Sequence, residues 1–218
     1  ITKLLFRFFS ITSVSSSDSN TLKKFNFHNF IEIQNGVNMI NPSQEKKYKF
    51  CLVGRNVASK NLDKYLEFLN FYYNQANSPN LKNSVLISDS IISLKTEEIK
   101  KLNIYSKLNI QDYEKILSQS EYIMSFSDYE GFGLALIEGI SAGAIPICKF
   151  NASFNEILTN CKELIFLEND YQKIFQLIKD IENLDYENYK ILVQKLKSIT
   201  TKYSVENMVA KFDKYVFD

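Results

Sequence analysis

Residues 121–143, EYIMSFSDYEGFGLALIEGISAG, place an apolar run directly before a glycine-containing turn and a second apolar stretch. The run at 121–127 predicts a buried strand, and the spacing over 133–142 predicts a helix. Gly131 and Gly133 lie in the turn, where the absence of a side chain allows another group to approach the backbone closely. Strand, glycine turn and helix in this order form the repeating unit of parallel α/β sheets.

Strand and helix patterns alternate along the rest of the chain as well. Apolar runs predict strands at 49–54, 84–88, 103–108, 121–127, 144–150 and 163–168. Helical spacing is present at 61–74, 96–101, 111–119 and 133–142, and the tail from 170 is predicted to form two or three helices. This alternation predicts an α/β fold built on a doubly wound, Rossmann-like parallel sheet.

The first 48 residues have a different pattern. They predict a strand at 11–16, a helix at 18–25 and a strand at 29–33, followed by a polar linker with a domain boundary within 42–47. The apolar opening LLFRFF has no cleavage site and is interpreted as the end of a buried element. Because the chain begins at Ile1, we expect it to be a piece of a longer protein.

Composition excludes several classes of protein. Lys and Arg number 26 and Asp and Glu number 25, and this near-neutral balance argues against general nucleic-acid binding. The three cysteines form no CxxC pair or Cys/His cluster, which argues against a disulfide scaffold or a structural zinc site and favours a cytoplasmic protein. No apolar run is long enough to cross a bilayer.

Glycine is the most informative residue type. The chain has only six glycines, where average usage would give about 15. Four of them fall within 131–143. The first amides of a helix lack internal partners and carry partial positive charge, so a helix that starts here favours a phosphate or a sugar.

Charged residues flank two turns that each follow a predicted strand. Arg55 follows the strand-end Gly54, and Lys60 lies five residues further on, so both are expected to reach an anion. Glu130 precedes the predicted helix, and Glu138 lies eight residues after Glu130, a spacing of two helical turns. In doubly wound sheets ligands bind beyond the carboxyl ends of the strands, and both turns are expected at that edge.

These motifs resemble the signature of GT-B retaining glycosyltransferases of family 4, the "glycosyl transferases group 1" domain. The family pattern, EGFGL…EAMA.G.P, has two glutamates separated by seven residues, and EGFGLALIEGISAGAIP at 130–146 matches it. The family's VGR and following lysine match 53–55 and Lys60. Upstream, VSSSDSNTLKKF and IEIQNGVN resemble the family's interdomain link, so the resemblance extends from about Thr12 to the C-terminus.

The resemblance implies the C-terminal half of a GT-B fold, with a donor-binding domain at 48–218 and a remnant of the N-terminal acceptor domain at 1–47. It implies a hexosyltransferase that moves a sugar, with retention, from a UDP- or GDP-sugar to a glycan or lipid acceptor in cell-surface polysaccharide or glycolipid synthesis. No cofactor is implied, and the absence of an Asp-x-Asp motif indicates no metal-bound donor site. The family implies peripheral contact with the inner face of the membrane. Without the rest of its N-terminal domain, this chain is expected to be incomplete for catalysis.

The resemblance also assigns roles to individual residues. Arg55 and Lys60 would hold the donor diphosphate, Glu130 would orient the sugar, and Glu138 would bind the ribose hydroxyls. The implied donor site comprises Gly54, Arg55, Lys60, Lys107, Leu108, Glu130, Gly131, Phe132, Gly133, Leu134 and Glu138, with Glu130, Arg55 and Lys60 as the catalytic residues. The loop at Lys107 and Leu108 would contact the base.

The chain departs from the family pattern at two turns. NASFNEIL, at 151–158, keeps a glutamate at Glu156 but lacks the glycines of GG.PEIV, and Ser88-Asp89-Ser90 stands where the family often has GDG. Two alternatives stay open: a non-catalytic module that binds nucleotide sugars, and a GT-B-like nucleotide-sugar epimerase. The sequence contains no P-loop, and its one histidine, His28, offers no catalytic pair.

Overall fold

The computed structural model describes residues 11–27, 30–76, 83–89 and 102–217. The strands are β1 (Ile11–Ser13), β2 (Phe30–Glu32), β3 (Tyr48–Val53), β4 (Ser84–Ser88), β5 (Asn103–Ser106), β6 (Ser120–Ser125), β7 (Ile145–Lys149) and β8 (Ile165–Phe166). The helices are α1 (Ser16–Lys24), α2 (Leu62–Gln75), α3 (Ile110–Ser118), α4 (Leu134–Ser141), α5 (Ala152–Ile157), α6 (Tyr171–Glu182), α7 (Tyr186–Lys202) and α8 (Val205–Phe217). The expected helix at 96–101, the opening segment and His28 lie outside the described residues.

The main sheet has six parallel strands in the order β5-β4-β3-β6-β7-β8. Strand β3 pairs on both edges, with Cys51 opposite Val85 of β4 and opposite Ile123 of β6. The chain therefore winds outward in one direction through β4 and β5 and in the other through β6 to β8. This is the doubly wound α/β sheet that the sequence predicts, and its order reverses between β3 and β6. Strands β1 and β2 form a separate parallel pair.

The core explains why these segments take up these structures. All five residues of β4 are buried, as expected for a strand covered on both faces. Helix α2 buries Leu62, Tyr65 and Tyr72 at helical spacing, together with neighbouring aromatic and aliphatic residues. Phe50 of β3 packs edge-on against Tyr72, with ring centroids 4.7 Å apart. The aromatic residues near the end of α2 therefore serve packing.

Two elements differ from the sequence-based expectation. The sequence predicts no helix at α5, yet the Asn151 side chain accepts a hydrogen bond from the Phe154 amide at 2.9 Å and caps that helix. Six residues are too few to show helical periodicity. The predicted strand at 163–168 shortens to Ile165–Phe166, because a 3-10 turn at Lys162–Leu164 precedes it and directs Leu164 into the core.

The segment after β2 is held by the C-terminal helices. The Val37 amide donates to the Tyr203 carbonyl at 2.9 Å, and the Val205 amide donates to the Val37 carbonyl at 3.2 Å. Gly36 lies so close to this junction that a Cβ there would come within 2.6 Å of the Cα of Val205. The division into 1–47 and 48–218 stays a prediction.

Replacement of Gly36 by alanine is expected to destabilise the fold, because the added methyl group meets backbone atoms that cannot rotate away. We expect the free energy of unfolding in urea to fall by about 1 to 3 kcal/mol, the usual cost of overpacking. Gly131→Ala is the matched control, since a Cβ at Gly131 meets no atom within 4 Å. Equal stability of the two variants would contradict the close contact at Gly36.

Candidate functional site

A cleft of about 340 Å³ opens at the carboxyl ends of β3, β4 and β6. This is the point at which the strand order reverses, where crevices form in open α/β sheets. Five of the residues that the resemblance assigned line this cleft: Gly54, Arg55, Lys60, Glu130 and Gly133. The two turns after β3 and β6 thus lie at the same edge of the sheet, as expected from the sequence.

Lys60 and Glu130 form an ion pair inside the cleft. The Lys60 Nζ lies 2.5 Å from Glu130 Oε1, and the two side chains are only 15% and 16% exposed. The loops that carry them are joined by two further bonds, from Asn61 Nδ2 to the Phe126 carbonyl (2.9 Å) and from the Asp128 amide to the Ser59 carbonyl (3.0 Å). The pair is therefore fixed in place and neutral as a unit.

Arg55 is the cation of the cleft that stays open to solvent. It is exposed, and no residue that the structure describes forms a hydrogen bond or an ion pair with its guanidinium group. The Asn56 amide donates to Asp89 Oδ1 at 3.0 Å. This bond lowers the pKa of Asp89, and the charge of Arg55 contributes in the same direction. The guanidinium group therefore keeps its donors available for an anion.

Helix α4 begins at the floor of the cleft with its amino end uncapped. Its N-cap is Gly133, which has a positive φ of 103° and no side chain to bind the first amides. A Cβ at Gly133 would come within 2.8 Å of the Phe154 ring, so the fold itself requires glycine there. At Gly131 a Cβ would meet open space, so the structure leaves room beside the helix start. The Leu136 amide donates to the Gly133 carbonyl at 3.1 Å, and the amides before it at the helix start, which lack partners within the helix, are suited to an anion.

Two residues that the sequence analysis missed hold the loop before α4. Ser153 Oγ donates to the Glu130 carbonyl at 2.7 Å. Asn151 Nδ2 donates to the Ser127 carbonyl at 3.1 Å. Both lie in the segment where the family's glycines are missing, and Asn151 also caps α5. An asparagine three residues before Phe154 was the available signal, since asparagine is a strong N-cap residue.

The other assigned residues do not line the cleft. Glu138 accepts a hydrogen bond from the Tyr113 hydroxyl at 2.5 Å, and burial together with the Glu138 charge raises the pKa of Tyr113. Phe132 is buried and packs edge-on against Tyr203, with ring centroids 5.4 Å apart. The remaining positions are Lys107, which is exposed, Leu108, which is half-buried, and Gly131 and Leu134, which are exposed.

The described part of the chain contains no group of three or more His, Cys, Asp and Glu side chains arranged to hold a metal ion. None of its helices is both long enough and apolar enough to pass through a bilayer.

Comparisons with known proteins support the same fold. No family model matches the sequence. The chain is 21% identical over 188 residues to "Putative glycosyltransferase ORF330" of Acidianus filamentous virus 2, a match that covers 77% of this chain and 54% of that protein. It is 26% identical over 127 residues to a GDP-Man:Man(3)GlcNAc(2)-PP-Dol alpha-1,2-mannosyltransferase of Dictyostelium discoideum, which covers 52% and 25%. The chain thus spans about half the length of one relative and a quarter of the other.

Among solved structures, a mutant of S. aureus TarM in complex with Fondaparinux, alpha-GlcNAc-glycerol and UDP matches with a TM-score of 0.75 at 19% identity. The match covers 96% of this chain and 44% of that one. The chain has the α/β fold of one half of a GT-B structure. The cleft between β3 and β6 therefore lies within the half of the GT-B fold that this chain forms.

The Lys60–Glu130 pair is expected to behave as a unit in stability measurements. Lys60→Met or Glu130→Gln alone leaves one half-buried group without its partner, whereas the double variant leaves neither. Urea unfolding of the four proteins should give a coupling of about 1 to 3 kcal/mol, the range of contacting charged residues. Additive effects would show that the two side chains do not depend on each other.

Proposed function

We propose that the cleft binds a nucleoside-diphosphate sugar and that the complete protein transfers the sugar to an acceptor hydroxyl with retention. The observation that carries this proposal is the combination of a solvent-open Arg55 with an uncapped start of α4 at the sheet's switch point. The UDP of the TarM complex and the GDP-mannose in the name of the Dictyostelium relative support a diphosphate donor.

Transfer requires the departing diphosphate to be stabilised as the bond to the sugar breaks. Arg55 would bind two phosphate oxygens through its planar fork, and the first amides of α4 would bind others. Groups fixed in place before the reaction need little reorganisation as charge develops, which is the main source of electrostatic catalysis. The cations and amides of this cleft would supply that stabilisation without a metal ion or a separate cofactor.

Lys60 would exchange part of its ion pair for the phosphate. It is held 2.5 Å from Glu130 and is therefore aimed into the cleft before a donor arrives. A phosphate that binds Lys60 leaves the Glu130 carboxylate available for the sugar hydroxyls. Glu138, oriented by Tyr113, would bind the ribose hydroxyls, and the loop at Lys107 and Leu108 would contact the base.

The acceptor is proposed to be a glycan or a lipid and the transferred sugar a hexose, in the synthesis of cell-surface polysaccharide or glycolipid at the inner face of the membrane. The remainder of the acceptor site would be supplied by chain outside 1–218. For this reason the chain by itself is proposed to bind donor while the longer protein performs the transfer.

Nucleotide binding is expected to depend on Arg55. Calorimetry should detect binding of UDP or GDP to the full chain, and Arg55→Ala should weaken it by about tenfold or more, equivalent to about 1.4 kcal/mol. Arg55→Lys should be intermediate, because lysine keeps the charge but loses the fork. Addition of EDTA should leave the affinity unchanged.

The matched control for charge is Lys173→Ala on α6, since the Lys173 side chain is 79% exposed and does not line the cleft. It should bind nucleotide as the parent chain does. Absence of binding by a folded chain, or equal loss in the Arg55 and Lys173 variants, would overturn the donor site.

The products of the reaction distinguish a glycosyltransferase from an epimerase and from a binding module. The longer protein, given UDP- or GDP-hexose and a panel of glycan and lipid acceptors, should form a product whose anomeric configuration, measured by NMR, matches that of the donor. Conversion of the donor sugar without an acceptor would instead indicate an epimerase. Donor binding with no turnover of any kind would indicate a binding module.

A further inference from the structure

Helix α5 links the cleft to a different part of the molecule. On one side it supports the loop before α4: Ser153 donates to the Glu130 carbonyl at 2.7 Å, and Phe154 packs against Gly133. Three residues after Ser153, one turn along the same helix, stands Glu156, the glutamate that the sequence analysis noted but to which it gave no role. One turn of helix moves as a rigid unit, so the position of Glu156 and the position of the loop depend on each other.

The other side of α5 binds the N-terminal unit, defined here as β1, α1 and β2. Glu156 Oε2 accepts a hydrogen bond from the Ser16 amide at 3.0 Å, and Glu156 Oε1 accepts one from Gln34 Nε2 at 3.2 Å. Ser16 is the first residue of α1. The carboxylate therefore lies at the positive end of that helix, where a negative charge is stabilised.

A second carboxylate, that of Glu32, binds the residues that contact Glu156. Glu32 accepts hydrogen bonds from Ser16 Oγ at 3.1 Å, from Ser19 Oγ at 2.8 Å and from Gln34 Nε2 at 3.0 Å. Lys211 Nζ of α8 donates to Gln34 Oε1 at 2.9 Å. The partners of Glu156 are thus held in place by β2, α1 and α8, so the contact with Glu156 joins a fixed group to α5.

We propose that Glu156 is a positioning residue that couples the N-terminal unit to the donor loop through α5. The proposal rests on the proposed function, because its effect is on nucleotide binding. The path consists of two hydrogen bonds joined by one helical turn. The Ser16 amide donates to Glu156, the turn connects Glu156 to Ser153, and Ser153 donates to the Glu130 carbonyl. It ends at the residue that pairs with Lys60 in the cleft.

The charge of Glu156, and not only its size, is required by this geometry. Both of its oxygens accept hydrogen bonds from N–H donors. Glutamine has the same shape but offers only one accepting oxygen, so Glu156→Gln would leave one of the two donors opposite an amide NH₂. Loss of the contact would release α5 from α1 while leaving the core of the sheet unchanged.

The test is a double-variant cycle on the full chain, with UDP affinity by calorimetry as one readout and hydrogen exchange of the amides at 130–134 as the other. Glu156→Ala and Ser153→Ala should each weaken UDP binding by about fivefold, the lower range of coupling between distinct sites. The double variant should be no weaker than the weaker single variant, because both interrupt one path. Exchange at 130–134 should be faster in all three.

The matched control is Glu163→Gln. Glu163 is an exposed glutamate that pairs with Lys195 and has the same charge as Glu156. Its replacement should change neither UDP affinity nor hydrogen exchange at 130–134. Glu156→Gln serves if Glu156→Ala does not fold. Loss of unfolding free energy with unchanged UDP affinity and unchanged exchange would overturn the proposal, as would effects that multiply in the double variant. If the parent chain binds no nucleotide, the proposed function fails, and the exchange rates alone decide whether Glu156 controls the loop.

Discussion

The pairing of β3 with β4 on one edge and with β6 on the other determines the rest of the structure. Because all the strands are parallel, the connections after β3 and after β6 leave the same edge of the sheet and diverge to opposite sides. Backbone cannot fill the space between them, and a crevice results. The positions of Arg55, Lys60 and Glu130 follow from this constraint, since each lies in a connection that leaves one of these two strands.

The charged side chains in the crevice differ in whether they have a partner of opposite charge. Lys60 and Glu130 satisfy each other and are largely removed from solvent, whereas Arg55 forms no such pair with the residues described. A cleft that carried three unpaired charges would be costly to fold, because buried charges need partners. A closed pair together with one open arginine lowers that cost and still leaves a cation and helix amides available to the proposed diphosphate.

Much of this arrangement could be predicted from local sequence. The apolar runs of β3, β4 and β6 identified the sheet, and the glycines at 131 and 133 marked the start of α4 to within one residue. The resemblance then joined two turns that lie about 75 residues apart in the chain. The assignment of strands and the resemblance to the family both depend on short sequence patterns, each of which lies within one segment.

The parts that could not be predicted depend on contacts between distant segments. Nothing in the sequence around Tyr113 indicates that its hydroxyl binds Glu138, since the bond arises from the packing of α3 against α4. Helix α5 is too short to show a period, and its role becomes visible only through the bonds of Ser153 and Glu156 to segments far away in the chain. The same holds for β8, which pairs with the end of β7 and is shortened by the 3-10 turn that precedes it.

The switch point between β3 and β6 is the proposed binding site for a nucleoside diphosphate. The most direct measurement is an NMR titration of the chain with UDP and with GDP, following the amide chemical shifts of every residue. We expect the largest changes at 54–56 and 131–135, on the two connections that border the crevice. Saturable binding whose changes fall elsewhere, for example along the apolar groove that Ile140, Tyr189 and Val193 line, would contradict it.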